Sequence, residues 1–233
     1  MDVETVWRVV DEVRARAEAD GAWDHETLSE CVVDVLAGSL SAPEIVAFCV
    51  VATALSHQAD TQTMAAAMFL IEGYVSDDTF MDFRDGLILL GRSTFEAATA
   101  DPDLLVEHPL VDGSNPEISF ESISSCAVEA WSRVTGGADE DDFWDVMSDA
   151  ENDIPTVGIE RVQPDESWDL IDAAAIRRQL PRLAERFSHR LKPRTPKVRL
   201  PEATCRPTRG TTGLSAFHQG VARGREAAGE TLS

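Results

Sequence analysis

Ser76, Asp77, Asp78, Asp82, Arg84 and Arg92 place more potential chemistry in a short stretch than any other part of this 233-residue chain. Residues 64–98, MAAAMFLIEGYVSDDTFMDFRDGLILLGRSTFEAA, interleave those groups with Phe80, Phe83, Leu87 and Leu90 at helical spacing. Asp77 and Asp78 could hold a hard cation through oxygen. With no histidine beside them, Mg²⁺ or Ca²⁺ would suit better than zinc. Arg84 and Arg92 could instead bind an anion against a helix N-terminus. The plainer reading is structural, and the residue types favour it. In that reading Asp77 and Asp78 sit in the first turn of a helix capped by Ser76, where negative charge is favoured. Arg84 and Arg92 then pair with Asp82, Asp85 or Glu96 across turns. No catalytic residue, metal or cofactor is assigned.

Other motifs are weaker. Asp77-Asp78-x-x-x-Asp82 is similar to the aspartate-rich element of class I terpene synthases, and Asn152-Asp153-x-x-Thr156-x-x-x-Glu160 to their second metal-binding triad. Both would have to lie on helices, and Pro155 and Gly158 interrupt the second. The match reads as coincidence. The five histidines are scattered, and no nucleophile elbow, phosphate loop or dinucleotide fingerprint occurs. Cys31, Cys49, Cys126 and Cys205 form no CxxC pair, so reduced thiols are expected.

Helices must position the central cluster. An amphipathic stripe of Val6, Val9, Val10, Val13 and Ala17 predicts a helix over 4–19, anchored by Trp7. Asp24 is the expected cap of a second helix, 25–36, ended by Gly38. Ser41 and Glu44 form a capping box, with Pro43 in the first turn, before an almost wholly apolar helix over 43–56. The central pair follows at 61–72 and 77–90, turned by Gly73 and stopped by Gly91. Ser93 and Glu96 read as another capping box. Residues 101–115 read as irregular. Helices are expected over 120–134, with Ile123, Ala127, Ala130, Trp131 and Val134 inward, and from 139 through Met147. Residues 151–169 read as extended or looping, with Trp168 docked on the body, and a last helix spans 172–189, slowed by Pro181. The fold class is all-α: one multi-helix, orthogonal or bundle-like domain over 1–190, followed by a disordered basic tail over 191–233.

Charge is unevenly divided. Residues 1–160 hold 6 Lys/Arg against 34 Asp/Glu, whereas residues 161–233 hold 14 against 8, within a net charge of −22. An acidic body repels nucleic acid and anionic membranes, so nucleic acid is expected to bind weakly at most, through the tail. A basic protein is the expected partner. The N-terminus lacks a basic start and an apolar h-region, and no apolar run is long enough to span a membrane, so a cytoplasmic protein is expected.

The motifs SDDTF at 76–80, FR at 83–84, LI at 87–88, GR at 91–92, FEAA at 95–98 and DPDL at 101–104 carry a family resemblance. So do Trp7, PEI at 43–45, SWDLID at 167–172 and RQLPRLAERF at 178–187. Together they resemble the uncharacterised bacterial family known as domain of unknown function 4240, over about residues 1–190. Tyr74, Val75, Ala65 and Gly86 depart from that pattern, the last two at positions where the family favours tryptophan. The resemblance implies a fold but no activity. Two functions are therefore compatible with the sequence. One is a non-enzymatic interaction or regulatory protein, immunity-type among the options, working through an acidic surface. The alternative is a small-ligand or Mg-dependent enzyme centred on 76–92.

Overall fold

In the computed structural model, helices pack around a buried central one, and most of the longer helices begin where a side chain satisfies a first free N–H group. The structure describes residues 1–21, 24–112, 116–120, 122–150, 154 and 172–191. All regular structure among these is helical. Helix α1 spans Val3–Asp20, with Thr5 N donating to Asp2 Oδ1 at 2.8 Å. Helix α2, His25–Ser39, starts likewise on Asp24, which accepts from Thr27 N at 3.0 Å. It runs through Gly38 rather than ending there, because Leu40 N still reaches Leu36 O at 3.0 Å.

Helix α3, Ala42–Gln58, begins at the expected capping box, in which Ser41 N donates to Glu44 Oε2 at 2.8 Å. Ile45, Val46, Phe48, Cys49, Val51, Ala52 and Leu55 are buried, so this helix is enclosed on nearly every side. It meets α1 and three later helices, α5 (Asp77–Leu89), α7 (Ile123–Thr135) and α8 (Glu140–Ala150). Helix α4, Gln62–Glu72, is capped by Thr61 and turned by Gly73. No single helix among the described residues is long and apolar enough to cross a membrane; α3 and α4 pass that test only as a pair bent by 89°.

Helix α5, Asp77–Leu89, and α6, Arg92–Ala100, meet at Gly91, whose φ of 92° belongs to the left-handed side that glycine tolerates. Here the structure corrects the expectation of a Ser93–Glu96 capping box. The helix starts at Arg92, and Glu96 is drawn to the Arg92 guanidinium instead. The expected irregular segment after Asp101 is also replaced. It forms two 3₁₀ turns, Pro102–Glu107 and Pro109–Asp112, which bury Leu105 and Val111.

Helix α7 is Ile123–Thr135 rather than 120–134, because Phe120 stays extended with its N–H on Asp82 O at 2.9 Å. Ile123, Ala127, Ala130 and Trp131 face inward as expected, but Val134, at the same helical spacing in the last turn of α7, is 38% exposed. Helix α8, Glu140–Ala150, is held by Phe143 and Met147, with the Phe143 ring edge-on to Trp131.

The single helix expected over 172–189 is two helices, α9 (Ala173–Gln179) and α10 (Pro181–Arg186), followed by a 3₁₀ turn, Ser188–Leu191. Pro181 clashes with a helical residue before it, so Leu180 moves to φ −132°, ψ 61°. Leu180, Leu183, Ala184, Phe187 and Leu191 nevertheless complete the core. Met1–Pro193 make one compact unit. The looping stretch 151–169 with Trp168, the triad Asn152–Thr156–Glu160 and the tail beyond Leu191 lie outside the described residues.

Candidate functional site

The six candidate residues are spread along α5 and past its end. Ser76 and Thr79 form a reciprocal cap: Ser76 N donates to Thr79 Oγ1 at 2.9 Å and Thr79 N to Ser76 Oγ at 3.3 Å. Asp77 and Asp78 lie in that first turn and are exposed. Asp82 is half-buried one turn on. Arg84 is only 8% exposed and turns the other way. Its Nη1 lies 3.1 Å from Asp60 Oδ2, an ion pair without hydrogen-bond alignment, and its guanidinium sits 4.9 Å from the Phe80 ring. The partner is therefore Asp60, in the α3–α4 turn, rather than Asp82 or Asp85. Arg92 is exposed and pairs with Glu96 and Glu4, both at 2.7 Å. At about 1.5 Å per residue, α5 alone sets Asp77 and Leu89 roughly 18 Å apart, and Arg92 lies beyond its end at the start of α6.

Between the two ends lies Asp85, a buried carboxyl that sequence spacing alone marks only as a charge. It accepts from Ile123 N at 2.9 Å and from the Ser56 hydroxyl, joining α5 to the start of α7 and the end of α3. Burial raises its pKa to about 6, opposed by those two hydrogen bonds and by the Arg84 charge. A carboxyl raised in the folded state binds its proton more tightly there than in the unfolded chain. Its contribution therefore grows as pH falls through 6 and is lost as pH rises. Asp85→Asn keeps an acceptor for Ile123 N–H without a buried charge. Relative to the natural chain, the variant should lose roughly 1–2 kcal/mol of stability between pH 7.5 and pH 5. Urea denaturation at the two pH values checks this; a difference that does not change with pH would contradict it.

A cleft of about 420 Å³ opens beside the first half of α5, lined by His25, Glu72, Tyr74, Thr79, Asp82 and Glu117 among others. Its wall is an extended segment, 116–120. Glu72 holds that segment by accepting from Ile118 N at 2.8 Å, Ser119 N at 2.9 Å and Ser119 Oγ at 2.7 Å. Gly86 lets the Ile118 carbonyl lie directly against α5. His25 stacks on Phe120 and stands 3.7 Å from Glu117. Among the described residues no lysine or arginine lines this cleft, and the field of those that do line it favours cations. Among the described residues no group of three or more His, Cys, Asp or Glu is arranged to hold a metal ion. In the sequence Gly86 stands out only as a departure from the family pattern and Glu72 only as the end of a helix, since neither lies in a motif that would give it this role.

An all-α body in which Arg16, Arg84, Arg92, Arg133, Arg182 and Arg186 are held in ion pairs is the class of protein that the fold and site define. The model of the family described as protein of unknown function (DUF4240) matches residues 1–133, and the chain belongs to that family. The match reaches from α1 nearly to the end of α7 and stops short of the SWDLID and RQLPRLAERF motifs. No curated protein and no solved structure matches the chain.

Proposed function

We propose that this is a non-enzymatic interaction or regulatory protein, of which an immunity-type protein is one form, that acts in the cytoplasm by presenting an acidic surface to a basic protein partner. One observation carries the reading. Residues 1–160 hold only 6 Lys/Arg against 34 Asp/Glu, and Arg16, Arg84, Arg92 and Arg133 are already taken up in ion pairs within the molecule. Of the six, Arg8 and Arg14 stand outside these ion pairs, and carboxylates dominate the remaining charge of residues 1–160. The field of such an excess speeds encounter with a cationic partner and rejects anionic ones. The alternative, a small-ligand or Mg-dependent enzyme centred on 76–92, has less support. Ser76 and Thr79 satisfy each other, Arg84 and Arg92 are paired, and the cluster is spread along a helix. Reconstitution tests the proposal. A partner isolated on the full-length chain and then purified should be basic, and its affinity should fall steeply as salt is raised. An acidic partner, or binding indifferent to salt, would overturn it.

A further inference from the structure

Helix α8 has one face in the core and one face that nothing among the described residues covers. Phe143 and Met147 are buried, whereas Trp144 is 39% and Val146 45% exposed. At about 100° per residue, Asp141, Asp145 and Asp149 fall on the side opposite Phe143 and Met147, with Trp144 on one flank and Val146 on the other. The uncovered face is therefore an acidic stripe edged by an indole and an isopropyl group. The indole is held in place, since Trp144 Nε1 donates to Glu140 Oε1 at 3.0 Å and its ring packs edge-on to Phe143.

That stripe works against its own helix. Asp141 with Asp145, and Asp145 with Asp149, are like charges one turn apart, which destabilises a helix. Asp149 also lies in the last turn, where the helix dipole disfavours negative charge, and that turn holds no basic residue. No ion pair to these carboxylates occurs among the described residues. The stretch directly after it, residues 151–171, contains one arginine, Arg161, against Glu151, Asp153, Glu160, Asp165, Glu166 and Asp169; the next arginine or lysine of the chain is Arg177.

We infer that the exposed face of α8 docks a Lys/Arg-rich segment of a partner protein, its cations over Asp141, Asp145 and Asp149 and its aliphatic stems against Trp144 and Val146. Charge complementarity selects this occupant, and an indole is the best ring for receiving a guanidinium or ammonium group. The inference rests on the acidic-surface reading above and gives that surface a place.

The test separates the two. A lysine- and arginine-rich peptide is titrated, by calorimetry, into the full-length protein, into Asp145→Asn/Asp149→Asn, and into a control of equal charge, Asp11→Asn/Glu30→Gln, on exposed sites of α1 and α2. The α8 variant should bind at least tenfold more weakly, and the control within about twofold of the natural chain. Trp144→Ala should also weaken binding. The α8 variant should melt higher than the natural protein, because it removes repulsion within the helix; a merely structural role for these carboxylates would lower the melting temperature. Equal losses in variant and control would overturn the α8 assignment and leave the acidic-surface reading standing. No binding by the natural chain would overturn both. Self-association at low salt that the α8 variant abolishes would make a second copy the occupant and overturn the inference.

Discussion

Gly86→Ala is expected to destabilise the protein by at least ~3 kcal/mol, although it adds a single methyl group. A Cβ at this position would stand 1.8 Å from the Ile118 carbonyl oxygen, 2.8 Å from its carbon and 3.2 Å from Phe120 N. These are backbone atoms and cannot swing aside as a side chain would. Either α5 or the segment 116–120 must move. The segment is tied down at three points, by Phe120 N on Asp82 O and by Ile118 N and Ser119 N on Glu72. Moving it uncouples the Glu72 carboxylate, a charge-assisted acceptor, and opens the cleft wall. For a chain of this size the loss corresponds to a fall in melting temperature of roughly 6–12 °C. Thermal unfolding of Gly86→Ala beside Gly38→Ala provides the comparison. Gly38 lies inside α2 with nothing near its would-be Cβ, so alanine there should leave stability unchanged or raise it. Equal melting temperatures for the two variants would mean that 116–120 does not pack on α5 as described.

Asp103→Ala should cost about 2–4 kcal/mol, as much as a core truncation, because one buried carboxylate holds the C-terminal helices to the body. Asp103 is 4% exposed in the first 3₁₀ turn. Its two oxygens accept from Arg182 N at 2.9 Å and Leu183 N at 2.8 Å, the otherwise free donors at the start of α10. It caps a helix 79 residues away in sequence. Ion pairs of Arg182 with Glu107 and Arg186 with Asp112 flank this contact, but they are exposed and contribute little. Arg190 adds a second tie through Leu70 O at 2.7 Å. Alanine leaves the buried Leu183 N–H and the part-buried Arg182 N–H without this acceptor. The expected result is local as well as global: amide hydrogens over 181–191 should exchange faster than those of α3. Asp103→Asn, with one good acceptor, should fall between alanine and the natural residue. Exchange over 181–191 unchanged in Asp103→Ala would show that apolar packing alone seats α10.

Several helix starts were legible in the sequence because capping is local, whereas the end of α2 beyond Gly38, the start of α6 and the start of α7 were not. Asp24 and Thr27, Ser41 and Glu44, and Ser76 and Thr79 each lie three residues apart, and the hydrogen bonds that join them span the same interval. The apolar stripes of α1 and α3 were legible for the same reason, since a helical period brings the burying residues to one side. The candidate cluster was legible as a density of charge, but its partners were not. Arg84 finds Asp60 across the α3–α4 turn, Asp85 finds Ile123 at the start of α7, and Glu72 finds Ile118 and Ser119 on the cleft wall. Those contacts join residues tens of positions apart, and no period or spacing encodes which carboxylate meets which donor. Pro181 read as slowing a single helix over 172–189, and neither the break there nor the cap that Asp103 supplies beyond it was legible. Tertiary packing decided these points, because a buried polar group takes whatever donor the fold brings within about 3 Å of it.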